Sequence, residues 1–251
     1  MTEVPDNRKI LAIDCTAKSV SVAVVSCDGN MEASSFLNNG LTHSQTLLPL
    51  LNSMLAQAEI ALEQIDFFAV AAGPGSFTGV RIGVAAVKGM ATALGKPCVS
   101  VSTLDAMAAY AAANPQIEEF ANTHLCAVMD ARCAQVYNAI FDLQVGSDAI
   151  KIVPDRAVAI AALTEDLQNC AKATLIGDGA ELCLDVLKTE LPNLQLAPEN
   201  MRLQCAKGVA YAAIKKIKAG DVVAPQQLVP IYLRVPQAER ELKKRRENGL
   251  N

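Results

Sequence analysis

Two apolar, β-branched runs near the start of the chain, residues 8–15 (RKILAIDC) and 19–27 (SVSVAVVSC), constrain the fold most. Runs of this length rich in valine and isoleucine read as strands. Asp28-Gly29-Asn30 is a turn that leads to a third strand near 31–37, so the three form an antiparallel meander. Thr42 and Gln45 then match a capping box. Leu47, Leu48, Leu50, Leu51, Met54, Leu55 and Ala58 follow on a broad stripe with a period of 3.6, which predicts a helix over 43–58 bent at Pro49. A strand at 66–72 (DFFAVAA), a glycine-rich turn, a helix at about 78–94 and a strand at 96–101 complete the order βββαβαβ. Three antiparallel strands followed by alternating β and α predict an α/β fold with a mixed sheet covered by helices.

The chain then starts again. A helix near 103–113 is followed by strands near 124–130 and 134–142, a helix near 158–169, a strand at 173–177 and a helix near 180–190. A longer helix near 203–218 closes the series, and Pro225 and Pro230 bound a last short segment. With 251 residues, this reads as an N-terminal lobe over 1–103, a smaller lobe over 104–202 and a charged tail over 236–251.

Composition limits what such a chain does. A formal net charge of −4 argues against an independent grip on nucleic acid, which needs a basic surface. No apolar run reaches the roughly 18 residues that span a bilayer, and residues 1–9 are polar rather than a signal peptide, so no membrane is expected and the cytoplasm is the simplest address. The eight cysteines form no CxxC pair and sit in apolar stretches, as reduced buried thiols do. The two histidines, His43 and His124, form neither HxxxH nor HExxH, so no metal site is expected.

The most unusual stretch is Gly73-Pro74-Gly75-Ser76-Phe77-Thr78-Gly79-Val80-Arg81-Ile82-Gly83, between a strand and a helix. Its backbone N–H groups could cradle an anion around Gly73, Gly75 and Ser76, or the glycines could serve turn geometry alone. It is neither GxGxxG nor a P-loop. Within the helix, Gly79, Gly83 and Gly89 each cost about 0.5–1 kcal/mol relative to alanine, so some close approach must offset them. A flank of mostly small residues through Gly83, Ala86, Met90 and Ala93, with Gly79 at its start, would admit another helix, either the leucine helix with Leu47, Leu51, Met54 and Leu55 or a second subunit. Asp14, at the end of the first strand, is placed to hold a magnesium-bound phosphate. Asp130 and the Gly177-Asp178-Gly179-Ala180 turn are its counterparts in the second half, and all three also fit caps or turns. Residues 239–247 (ERELKKRRE) are either a solvated end or a basic arm that touches nucleic acid once a partner supplies the rest of the surface.

Ile10-Leu-Ala-Ile-Asp14, His43-Ser-Gln-Thr-Leu-Leu-Pro49, the stretch from Gly73 to Gly83, Val101-Ser-Thr-Leu104, Asp130-Ala-Arg132 and Pro230-Ile-Tyr-Leu-Arg234 recur in order over nearly the whole chain. In these stretches the sequence resembles the bacterial TsaB (YeaZ) family. The resemblance implies a two-lobed actin/sugar-kinase-like (RNase H-like) fold, whose N-terminal lobe is completed by about 203–235 and whose second lobe is reduced. It implies a non-catalytic subunit that pairs with TsaD and TsaE to form N6-threonylcarbamoyladenosine in tRNAs reading codons that begin with adenine. TsaD-like sequences carry two metal-binding histidines after the fifth strand. Here that segment reads Val101-Ser102-Thr103-Leu104-Asp105-Ala106-Met107. Further implied expectations are a dimer when the chain is alone, ATP or ADP at the junction with partner subunits, and tRNA contact only through the complex. The competing expectation is a free-standing ATPase or kinase using Asp14 and Asp130, or a peptidase.

Overall fold

The opening meander builds one half of a five-stranded sheet in the computed structural model, which describes residues 6–114 and 123–234. β1 (Lys9–Asp14) pairs antiparallel with β2 (Val20–Ser26), and β2 with β3 (Met31–Leu37). On its other side β1 pairs parallel with β4 (Ile65–Gly73), and β4 with β5 (Cys98–Ser102), for the order β3-β2-β1-β4-β5. Alternation along β1 feeds two cores. Leu11 and Ile13 meet α1 (His43–Gln57) and α2 (Phe77–Leu94) on one face. Ile10 and Ala12 meet α6 (Ala206–Lys218) on the other. The C-terminal helix therefore returns to complete the first sheet. It lies close to α3 (Thr103–Ala112): a Cβ on Gly208 would stand 2.2 Å from the Ala106 carbonyl oxygen.

The second sheet repeats the first. β6 (Thr123–Asp130), β7 (Gln135–Leu143) and β8 (Ile150–Ala159) form an antiparallel meander. β6 also pairs parallel with β9 (Ala173–Ile176), and β9 with β10 (Leu194–Leu196), giving β10-β9-β6-β7-β8. This is an α/β architecture of two mixed, helix-covered sheets of five strands each, as the run of elements predicts. The second sheet keeps five strands; its economy lies in short outer elements, with three residues in β10, five in α4 (Leu163–Leu167) and eight in α5 (Ala180–Leu187).

Local expectations change in three places. The region near 158–169 is not one helix but the end of β8, a 3₁₀ turn at Ile160–Ala162 and α4. Thr42 gives α1 no side-chain cap; its hydroxyl lies 3.3 Å from that of Ser44 instead. α2 is long and apolar enough by length and composition to cross a bilayer, contrary to the expectation from apolar runs. Arg81 and Lys88 interrupt it, however, and its Val80, Val84 and Val87 side is buried in the first lobe. The charged tail at 236–251 lies outside the described residues.

Candidate functional site

Turns from both lobes and the C-terminal segment converge on a cleft of about 510 Å³, lined among others by Lys18, Ser76, Asp130, Arg132, Tyr232 and Arg234. A neighbouring hollow of about 310 Å³ continues past Asp178 to Glu181 and Arg202. Gly75, Ser76 and Asp130 face the larger space. Gly179 lies behind it, and a Cβ there would stand 3.0 Å from the Asp130 amide nitrogen.

The glycine-rich turn lies directly on the β1–β2 turn. The Ser76 amide donates to the Thr16 carbonyl oxygen at 2.7 Å, and the Gly79 amide to the Ser76 hydroxyl at 3.3 Å, so two of the N–H groups that an anion would need are already engaged. The glycines answer to close approach. Added Cβ atoms would fall 2.3 Å from the Ile231 oxygen at Gly73, 2.5 Å from the Thr16 oxygen at Gly75 and 2.0 Å from the Cys15 oxygen at Gly79. The turn is thus built for packing against β1–β2 and the C-terminal segment before it is built for a ligand.

Asp14 is 2% exposed and does not line the cleft. Its Oδ1 accepts from the Thr16 amide at 2.8 Å and the Thr16 hydroxyl at 2.7 Å, while Oδ2 has no hydrogen-bond partner. Burial pushes the carboxyl above its ordinary value, against the pull of the Thr16 hydrogen bonds. A magnesium-nucleotide needs an ionised carboxylate facing the cleft, so the residues present do not fit one held by Asp14.

Asp130 is exposed and accepts from the Arg132 amide at 2.7 Å. Asp178 presents exposed surface to the cleft, yet crowding by surrounding protein raises its carboxyl, opposed by the hydrogen bond that Gln204 Nε2 donates at 2.8 Å. The β6–β7 turn holds Arg132, Cys133 and Ala134 at φ of 62°, 55° and 54° with no glycine among them. Each such residue costs roughly 1 kcal/mol, which the surrounding hydrogen bonds must offset.

At the cleft mouth the Phe77 and Tyr232 rings lie 5.2 Å apart. Arg81 sits 3.9 Å over Phe77 and donates from Nε to the Tyr232 hydroxyl at 2.9 Å. Arg234 donates from Nη1 to the Ala131 carbonyl at 2.6 Å, tying the C-terminal segment to the second lobe. Lys18, Phe77, Arg81 and Tyr232 were not singled out as site residues by sequence reasoning; the quoted Pro230–Arg234 motif was the available signal for Tyr232.

The residues expected at a subunit interface divide. Leu47, Leu51, Met54, Leu55, Gly79 and Gly83 are buried in the chain's own core, because α1 and α2 turn these sides onto the sheet. Gly83 meets Val70, with an added Cβ 3.3 Å from its Cγ2. Ala86 and Met90 are half-buried at the core's margin. The surface left to a partner holds Leu48 on α1 and Ala85, Gly89 and Ala93 on α2. A Cβ on Gly89 would meet nothing within 4 Å. Among the described residues no group of three metal-ligating side chains converges.

Residues 40–241 match the family model of TsaD, tRNA N6-adenosine threonylcarbamoyltransferase. The chain is 30% identical over 227 residues to the tRNA threonylcarbamoyladenosine biosynthesis protein TsaB of Escherichia coli (strain K12), covering 90% of this chain and 94% of that one. It is 31% identical over 236 residues to the TsaB of Bacillus subtilis (strain 168), covering 92% and 96%. The solved structure of YeaZ from Pseudomonas aeruginosa superposes with a TM-score of 0.75 at 28% identity, over 90% of this chain and all of that one. Family model, full-length relatives and fold agree, and the chain belongs to the TsaB (YeaZ) family within the wider TsaD group.

Proposed function

We propose that this chain acts in tRNA threonylcarbamoyladenosine biosynthesis as a non-catalytic subunit that docks a TsaD-type transferase through the outer faces of α1 and α2. The pathway comes from the names of the relatives. The docking reading is carried by Gly89: an exposed glycine inside an 18-residue helix, costing about 1 kcal/mol, meets no demand within its own chain. Its neighbours Ala85 and Ala93 are small and exposed too, so a second helix backbone can come close along this side. The non-catalytic part is supported by Asp14 being withdrawn from the cleft and by the absence of histidine from Val101–Met107. On this reading a TsaE-type ATPase joins the assembly, any ATP or ADP sits at the junction with partner subunits, and the chain works in the cytoplasm. A second copy occupies the same helix faces when the partner is absent.

Titration against a TsaD-type protein tests this. Ala85→Arg places a charge on the exposed flank, and binding should weaken by about 2 kcal/mol, or roughly thirtyfold, with an unchanged circular dichroism spectrum. Full affinity in the folded variant would remove this flank from the interface. Sustained ATP or peptide turnover by the isolated chain would instead favour a free-standing enzyme.

A further inference from the structure

We infer that the cleft mouth is a contact point for a single-stranded segment of tRNA, with Lys18, Arg132 and Arg234 facing phosphate and Tyr232 offering its ring to a base. This rests on the reading of the chain as a tRNA-pathway subunit and adds to it a surface outside the α1–α2 face.

The geometry carries the inference in three ways. First, cations gather there in a chain whose net charge is −4. Among the described residues the side chains of Lys18 and Arg132 make no hydrogen bond or ion pair, and Arg234 uses only Nη1, on Ala131. Second, Tyr232 and Phe77 remain 41% and 38% exposed although their rings lie 5.2 Å apart and Arg81 covers Phe77 and donates to the Tyr232 hydroxyl. That arrangement fixes the rings before any ligand arrives, as a stacking platform for bases requires. Third, the same space holds carboxylates as well as cations, with Asp130 and Asp178 in its lining beside Lys18, Arg132 and Arg234. A nucleotide brings anionic phosphate for the cations and amino N–H donors for the carboxylates, whereas an acidic peptide side chain matches only the cations. The volume, about 510 Å³, admits a nucleotide unit.

The test uses the assembled complex with its TsaD-type partner and tRNA bound over a salt series. Lys18→Glu combined with Arg132→Glu should weaken tRNA binding at least about tenfold and lower the slope of log affinity against log salt by roughly 1.5, as loss of two phosphate contacts does. Tyr232→Leu should weaken binding several-fold and Tyr232→Phe less, while partner affinity stays unchanged in all of them. Unaltered tRNA affinity and salt slope in an intact complex would overturn the inference. So would loss of partner affinity as the whole effect, which marks a protein contact, or a cleft that binds free ATP or AMP and ignores tRNA. If the wild-type chain assembles with no such partner, the docking proposal fails by itself. Ultraviolet crosslinking of the isolated chain to an anticodon stem-loop RNA then decides, and no crosslink at Tyr232 refutes the RNA contact.

Discussion

Gly79 and Gly89 sit on the same helix and answer to different demands. A methyl group at Gly79 would lie 2.0 Å from a backbone oxygen of β1–β2, which neither element can vacate cheaply. Gly79→Ala should therefore cost at least about 2 kcal/mol in urea unfolding. At Gly89 the same methyl meets open space, so Gly89→Ala should stabilise the isolated chain by about 0.5–1 kcal/mol while weakening association with the partner. Asp14 supplies a residue-scale prediction of another kind. Its folded carboxyl holds a proton more tightly than the unfolded one, because burial opposes ionisation. The stabilisation is complete below the unfolded carboxylate value of about 3.9 and is lost as pH rises through the folded value. The Asp14 contribution to stability should thus fall as pH rises above about 4, and Asp14→Asn, which keeps the Oδ1 acceptor, should remove that component from the pH profile. An unchanged pH profile in the variant would show that Asp14 is not the group responsible.

At the scale of elements, the segment from Val223 to Arg234 has almost no regular structure, yet it ties several parts together. Val223 bridges Cys98 at the sheet edge, Lys88 donates to the Gln226 carbonyl, the Ile231 amide donates to Ala72, and Arg234 reaches Ala131. Leu228 anchors it in the first core at 1% exposure. Leu228→Ala should cost about 2–4 kcal/mol by chemical denaturation, with larger gains in amide exchange along this segment than in the second lobe. The helices show the complementary case. The leucine stripe of α1 is wide because one side enters the core at Leu47, Leu51, Met54 and Leu55 while Leu48 stays 51% exposed. A single stripe therefore serves the fold and leaves Leu48 outside the core.

Across the whole molecule the two sheets repeat one topology and are tied on more than one side. Lys151 on β8 lies 2.7 Å from Asp105 of α3 and 2.6 Å from Asp155, which also takes a hydrogen bond from Ser102. Lys215 of α6 pairs with Asp148 at 2.8 Å, and Gln204 with Asp178. What the sequence by itself determined was the run of elements, the restart that makes two lobes, and family membership through motifs such as Gly73–Gly83, because periodicity and turn chemistry are local properties. β8 escaped it: an edge strand that carries Pro154 among Lys151, Asp155 and Arg156 lacks the alternation of a half-buried strand. Only the tertiary structure decided that Asp14 is sealed from the cleft, that Gly79 serves the Cys15 carbonyl, and that Lys18, Arg132, Tyr232 and Arg234 meet at one mouth. Those facts depend on approaches between residues far apart in the chain, whose distances are set by how the sheets, helices and C-terminal segment pack rather than by any pattern within one element.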